Sequence, residues 1–435
     1  MTNNKDLTIG MLGFGTVGSG VATMIRDNEK ELTQRLGVKV NIGKIVVRDL
    51  DKERGTHVDS SLLCTNVHDV INDPSIDVIV EVMGGIEEAR DAIEKALRAR
   101  KPVITANKDL MALHGHSLLH LAHENGCDLY YEASVAGGIP IIRTLEDGLA
   151  SDRISGIMGI VNGTTNYILT KMKEENWSYE EALSKAQALG FAESDPTSDV
   201  EGLDAARKMA ILATLAFSME VHLEDVAVTG MTSITTEDLQ LAEQFGYSVK
   251  MLGFAERDAE GVDVSVEPVF LTSSHPLAAV RNEYNAVYIY GDAVGETMFY
   301  GPGAGSMPTA TSVVSDILAA CRNLLLGVGG MRSHDPMNTR LIKGEEEQHA
   351  QFFHRLLVKD EIGVFSELTS IYSRHHASLG SIIQRPGEKP EEAEVILITH
   401  SISRKNHKAI IDELTASNSV KEIISQYRVE GGTKS

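Results

Sequence analysis

Short apolar runs alternate with longer amphipathic stretches through the first third of the chain. Leu7–Gly13, Val38–Val47, Asp77–Met83, Pro102–Thr105 and Asp128–Glu132 have the length and apolar content of strands. Between them, apolar residues spaced by three and four predict helices from Val17 to Ile25, over Ile86–Arg100 and over Asp109–Asn125. The polar segment Asp27–Leu36 is expected to lengthen the first of these. A strand–helix rhythm of this kind predicts a parallel, doubly wound sheet.

After Pro140 the pattern changes. Arg153–Val161 reads as a strand, Asn162–Asn166 as a turn and N-cap, and Tyr179–Leu189 and Val200–Ser218 as helices. Val249–Glu256, Val262–Leu271 and Ala286–Gly291 read as strands of an open antiparallel sheet, whose uncovered edge makes oligomerisation an expectation. Towards the C-terminus, Phe352–Lys359, Ser378–Gln384 and Ala393–His400 read as strands and Val420–Arg428 as a final strand or mixed segment, with helices over Gly363–Arg374 and Ser403–Ala416. That βαββαβ order predicts a small ferredoxin-like sandwich.

At 435 residues the chain exceeds one ordinary core. The expected division is α/β throughout. Residues 1–135 form a doubly wound domain completed by 303–326, residues 136–302 a central catalytic and dimerisation domain, 327–350 a linker, and 351–435 the C-terminal sandwich. The formal charge of −22 argues against nucleic acid as a partner, since phosphate backbones need clustered Lys and Arg. Cys64, Cys127 and Cys321 are few and far apart, which excludes a disulfide framework and fits a reducing compartment. With no apolar leader at the N-terminus and no long uncharged apolar run, the expectation is a cytoplasmic protein without a membrane span.

Candidate chemistry begins at Gly13-Phe14-Gly15-Thr16-Val17-Gly18. It follows the first strand and opens the first helix, the context in which GxGxxG binds a dinucleotide pyrophosphate as a Rossmann fold does. The second strand ends in Arg48-Asp49. An acid there suits the ribose 2′-OH of NAD and an Arg the 2′-phosphate of NADP. Arg48 comes first and Lys52 follows, so NADP is favoured, although the spacing from Gly18 is long. Gly84-Gly85 and Ala106-Asn107-Lys108 follow further strands, at the end of the sheet where ligands bind. An ordinary surface lysine would look the same as Lys108. His116, His120 and His123 share a helix face, but no fourth zinc ligand follows. The acidic stretch Gly190–Lys208 has Pro196 where a calcium loop needs glycine, and its Asp204 and Lys208 are one helical turn apart. Pro196 forces a turn there, after which Ser198 or Asp199 is expected to cap a helix from Val200.

Taken in order, Gly13–Gly18, Ala106–Lys108, Glu132–Pro140, Asn162–Asn166, Gly190–Lys208 and Gly301–Ala310 resemble the motifs of homoserine dehydrogenases along nearly the whole chain. That resemblance implies reversible oxidation of L-homoserine to L-aspartate 4-semialdehyde with NAD(P), in threonine and methionine biosynthesis. It implies proton transfer by Lys208, with Lys108 beside cofactor and substrate. Glu193 and Asp204 would hold the substrate, one at its ammonium and the other at its hydroxyl end. Its carboxylate needs a donor, which the Asn162–Thr165 turn with Gly163 and Thr164, or a lysine, could supply. Glu132 with the carbonyls of Val135, Gly137 and Ile139 would hold a monovalent cation, usually sodium. Gly303 and Gly305 would return to the cofactor. The chemistry agrees: aldehyde reduction needs a hydride, which a nicotinamide supplies, and a proton from a positioned acid.

Leu356–Phe365 resembles the opening of an ACT domain, a small-molecule sensor, with Asp360 and Gly363 at its effector turn. This implies feedback control, with threonine the first effector to test; pure dimerisation is the alternative. Two other readings stand beside the enzyme. One is a dehydrogenase for a different amino or hydroxy acid. The other is a catalytically silent NADP-binding sensor, against which the retention of Lys108, Glu193, Asp204 and Lys208 speaks.

Overall fold

The computed structural model describes residues 5–52, 54, 58–331 and 337–431. Contacts divide the chain into two units. The first comprises Met1–Ile157, Arg207–Asp225 and Asn285–Arg340; the second comprises Met158–Ala206, Val226–Tyr284 and Leu341–Ser435.

In the first unit the apolar runs become β1 (Leu7–Leu12), β2 (Val40–Val46), β3 (Leu63–Cys64), β4 (Val78–Glu81), β5 (Val103–Thr105) and β6 (Leu129–Tyr130). They lie in the order β3-β2-β1-β4-β5-β6, every pair parallel. The order reverses at β1, and the crevice at such a reversal is where nucleotides bind. Helices α1 (Thr16–Asp27), α2 (Glu29–Leu36), α3 (His68–Ile71), α4 (Glu87–Arg98), α5 (Lys108–Glu124) and the single turn α6 (Ile141–Arg143) accompany the strands. The expected long first helix is two helices. Asn28 leaves helical geometry at φ −106°, ψ 19°, and α2 restarts with its own acidic first turn.

The chain enters the second unit within β7 (Ile154–Ile160). There follow α7 (Gly163–Glu175), α8 (Tyr179–Ala188), α9 (Thr197–Val200) and α10 (Leu203–Phe217), the last ending in the first unit. The single helix expected from Val200 to Ser218 is thus divided. Gly202 sits at φ +81°, where a side chain would also press on Met251, and this left-handed residue separates α9 from α10. Helix α9 starts at Thr197 with Pro196 as its N-cap, so Ser198 and Asp199 lie inside it, and the Asp195 carboxylate just before accepts from the Thr197 amide at 3.1 Å and hydroxyl at 2.6 Å.

Next come β8 (Val226–Val228), α11 (Thr236–Gln244), β9 (Tyr247–Arg257) and β10 (Val262–Thr272). The first unit then takes back β11 (Tyr284–Gly291), apart from its first residue, with β12 (Gly295–Pro302) and the long α12 (Ser306–Leu326). Val313, Ile317 and Cys321 of α12 join Ile9, Met11, Ile45 and Val80 in its core. The remainder of the second unit is β13 (His349–Lys359), α13 (Val364–Arg374), β14 (Leu379–Pro386), β15 (Glu392–Thr399), β16 (Ile402–Ser403), α14 (Arg404–Ala416) and β17 (Val420–Glu430).

Strands β17-β13-β15-β14 are antiparallel neighbours, and α13 and α14 cover them with Leu368, Ile371, Tyr372, Ile410 and Leu414. The central sheet is mixed rather than antiparallel. β9 and β10 pair antiparallel along their whole length, but β8 and β17 both join β10 in parallel. The edge expected to be open is therefore partly taken by the chain's own C-terminal strand.

Candidate active site

Each glycine of the β1–α1 turn has a separate physical task. Gly13 has φ +107°, and a Cβ there would lie 2.5 Å from the Val82 carbonyl oxygen. A Cβ on Gly18 would lie 2.7 Å from the Gly13 oxygen, so helix and turn need its absence. Gly15 differs: a Cβ there would meet no protein atom within 4 Å. Its missing side chain leaves open space at the N-terminus of α1, where free amides and the helix dipole favour an anion. Ser306 at the start of α12 donates its hydroxyl to the Thr16 carbonyl at 2.7 Å. The late glycine turn is thereby brought to the β1–α1 turn. Gly305 stands at φ +113°, and Gly303 packs directly on the Asn285 side chain.

The Gly13 amide donates to Val46 at the end of β2, 3.0 Å away. Arg48 and Asp49 lie two and three residues beyond, both exposed. The Asp49 carboxylate turns back to accept from the Asp51 amide at 2.9 Å.

The loops after β4 and β5 are joined by Glu81, which is fully buried. Its Oε1 accepts from the amides of Met83 (2.9 Å) and Gly84 (3.2 Å), and its Oε2 from the Thr105 hydroxyl (2.6 Å). Burial pushes the carboxyl up, while these donors pull it down. Thr105 Oγ1 accepts from the Asn107 amide at 3.0 Å; the Asn107 side chain donates to Gly85 O at 2.6 Å and caps α5 through the Leu110 amide at 3.1 Å. Lys108 opens that helix. Its Nζ is 3.8 Å from Asp109, which also receives Arg207 Nε at 2.8 Å. This ion pair brings the Arg207-Lys208 step of α10 to the start of α5.

Ala136 and Gly137 are both left-handed, at φ +55° and +50°. A Cβ on Gly137 would lie 2.4 Å from Gly303 O, so this loop packs against the late glycine turn. The Gly137 carbonyl accepts the Ser312 hydroxyl at 2.6 Å, and that of Ile139 accepts the Ile141 amide at 2.8 Å. Glu132 is buried and spends both carboxylate oxygens on the amides of Ile142 (2.8 Å) and Arg143 (2.9 Å). Beside it, Asp316 pairs with Arg143 at 2.6 Å, and burial with the Glu132 charge pushes its carboxyl up to about 8.

In the second unit, Asn162 caps α7 through the Thr165 amide at 2.9 Å. Its side-chain amide donates to Asp199 at 2.7 Å and to buried Asp204 at 2.9 Å. Both of its donors are thus directed at carboxylates. Thr164 donates to Phe191 O at 2.6 Å, and Gly163 lies against the Glu283 carbonyl, 2.6 Å from an added Cβ. Glu193 is exposed, with its carbonyl accepting from Gln187 at 3.0 Å.

The histidine helix has no zinc arrangement. His120 meets Glu124 at 3.3 Å, His123 meets Gly330 O at 3.0 Å, and His116 lines a cleft of about 540 Å³ between α5 and α10. Among the described residues no group of three His, Cys, Asp or Glu side chains is arranged to hold a metal. The three cysteines are free, and no described helix is long and apolar enough to cross a membrane.

Residues 13–132 match the family model for the NAD-binding domain of homoserine dehydrogenase, and residues 140–318 match the homoserine dehydrogenase model itself. A homoserine dehydrogenase of Bacillus subtilis is 54% identical over 428 residues, 98% of this chain and 99% of its own. The chain belongs to the homoserine dehydrogenase family. A homoserine dehydrogenase crystal structure from Thiobacillus denitrificans superposes with TM-score 0.91 at 37% identity, covering 98% of each chain. A hyperthermophilic archaeal homoserine dehydrogenase in complex with NADPH superposes with TM-score 0.60 at 26% identity, over 73% of this chain and 98% of that one.

As a homoserine dehydrogenase the chain is an oxidoreductase, and its doubly wound unit is an NAD(P)-binding domain. Two functional-looking groups escaped the sequence reading. Glu81 was absorbed into an apolar strand end, although a carboxylate inside a run of Val and Ile is itself a signal. Asp199 was expected only to cap a helix, and it shares the Asn162 amide with Asp204.

Proposed function

We propose that this homoserine dehydrogenase works with NADP and moves the substrate hydroxyl proton through Lys208. Bound at the β1–α1 turn, the nicotinamide nucleotide would accept the hydride from the alcohol carbon. The Lys208 amine takes the hydroxyl proton as the hydride leaves, and in reduction its ammonium returns a proton to the aldehyde oxygen. Lys108 flanks cofactor and substrate. The Arg207–Asp109 ion pair carries this reading, because it ties the helix of Lys208 to the helix that Lys108 begins. Asp204 and Glu193 are the carboxylates for the substrate's polar ends, with Gly163 and Thr164 beside its carboxylate. For the cofactor, Arg48 favours the 2′-phosphate, since the Asp49 carboxylate is engaged with the Asp51 amide.

The carbonyls of Val135, Gly137 and Ile139, with Glu132, suit a monovalent cation such as sodium. Each hydrogen-bonded carbonyl keeps a second lone pair, and each Glu132 carboxylate oxygen, which accepts a single amide, does too. The β17-β13-β15-β14 order is that of a ferredoxin-like sandwich and supports an ACT module over 351–435, following a linker at 327–350. Its effector would be a product of the threonine and methionine pathway, threonine first. The remaining expectations are a homo-oligomer, a cytoplasmic setting, residues 1–135 with 303–326 for the cofactor, and 136–302 for substrate and dimerisation. The test is Lys208→Ala, expected to lose nearly all turnover with cofactor affinity held within a few-fold. Turnover at the unsubstituted rate would refute the role.

A further inference from the structure

A carboxylate in the middle of a parallel sheet is costly unless donors surround it. Glu81 ends β4 after Val78, Ile79 and Val80, all fully buried, and is itself fully buried. The groups that hold it are neutral donors: the Met83 and Gly84 amides and the Thr105 hydroxyl. An apolar residue would fill this place in the core. The carboxylate instead makes both strand ends part of one circuit. From Glu81 the chain of bonds runs to Thr105, then to Asn107, then across to Gly85 O, back in the loop it started from. Gly84 and Gly85, at φ +72° and +79°, would present any added Cβ to open space. The circuit therefore lies beneath a shelf open to a ligand, and its last member caps the helix that begins with Lys108.

We propose that Glu81 is a positioning residue for the dehydrogenase reaction, locking the Gly84–Gly85 shelf and the Asn107–Lys108 helix start into one rigid platform. It touches neither cofactor nor substrate; it sets the height of one loop against the other. Without it, two backbone amides and the Thr105 hydroxyl lose their acceptor, and the two loops move independently. Small misplacements of this kind reduce turnover more than they reduce stability, since reacting groups need alignment within fractions of an ångström. The proposal rests on the reading that Lys108 flanks cofactor and substrate.

The experiment uses the full chain with Glu81→Gln, Thr105→Val and Thr105→Ser, measuring kcat, KM for homoserine, NADPH affinity by fluorescence titration, and thermal stability. Glu81→Gln and Thr105→Val keep shape while breaking the circuit. Each is expected to lower kcat by about tenfold or more and to weaken NADPH severalfold. Glu81→Gln should leave the melting temperature nearly unchanged, whereas Thr105→Val, which strips a donor from the buried carboxylate, should lower it by a few degrees, and the kcat loss should exceed what that shift explains. Thr105→Ser, which restores the hydroxyl, is expected to recover most of what Thr105→Val loses. Unchanged kcat and NADPH affinity in both circuit-breaking variants would overturn the proposal. So would losses that follow only the melting temperature, or a failure of serine to rescue. NADPH affinity is read without turnover, so an error in the role of Lys108 would show as an unaffected Lys108→Ala beside an impaired Thr105→Val.

Discussion

Gly15→Ala separates what the β1–α1 turn does for folding from what it does for the cofactor. Gly15 is the N-cap of α1, at φ −85° and ψ −151°, a backbone that alanine tolerates. Its methyl would touch no protein atom within 4 Å. Two small terms oppose each other. Alanine is a poorer N-cap than glycine by some tenths to about 1 kcal/mol, and it narrows the unfolded ensemble by about 0.4–1 kcal/mol. The net effect is within about 1 kcal/mol, a shift of a few degrees at most in a chain of this size. Gly13→Ala is the internal contrast. Its left-handed φ adds about 1–2 kcal/mol, and its methyl would lie 2.5 Å from a backbone oxygen. Thermal melts should therefore leave Gly15→Ala near the parent and lower Gly13→Ala clearly. NADPH fluorescence titration should show Gly15→Ala binding at least about tenfold more weakly, near 1.4 kcal/mol, because on the proposed reading the methyl enters the space of the pyrophosphate. Parental affinity in Gly15→Ala would refute the reasoning.

Arg48→Ala should weaken NADP more than NAD in parallel titrations, and equal losses would remove the 2′-phosphate role. In the C-terminal module, half-buried His407 stacks on Phe352 at 3.7 Å and meets His354 Nε2 at 3.0 Å. Burial, then the Arg404 charge, push its imidazole down to about 4, with Glu267 pulling the other way. A histidine depressed on folding stabilises fully above its unfolded value of about 6.5, and that contribution is lost as pH falls through about 4. The loss is on the order of 3 kcal/mol. Denaturant melts should show it between about pH 6.5 and 4, and His407→Phe should make the decline shallower.

The parallel sheet was legible because buried strands leave apolar runs that few other structures produce, and β1, β2, β4, β5 and β6 fall within the stretches expected from Leu7 to Glu132, whereas the two-residue β3 lies in none of them. The C-terminal order of strands and helices was legible for the same reason. What escaped notice was local and polar. The break at Asn28 and the division at Gly202 depend on single backbone angles that a periodicity count averages away. Strand β12 has only exposed and half-buried residues, in no regular alternation, and carries little apolar signal. Helix α11 was overlooked, although Thr235 and Asp238 spell the capping box that the structure forms. The parallel joining of β17 to β10 links residues some 160 positions apart, and no local pattern encodes it. At the site, motif residues could be named, but the company they keep could not. Nothing in Gly190–Lys208 alone says that Arg207 reaches Asp109, or that Asn162 spans Asp199 and Asp204.

Homoserine-dependent reduction of NADP, followed by nicotinamide absorbance in the parent chain and in Lys208→Ala at equal NADP saturation, tests the central claim most directly. The account predicts strong turnover in the parent and almost none in the variant, with NADP affinity in the variant within a few-fold of the parent. Comparable turnover in both would contradict it.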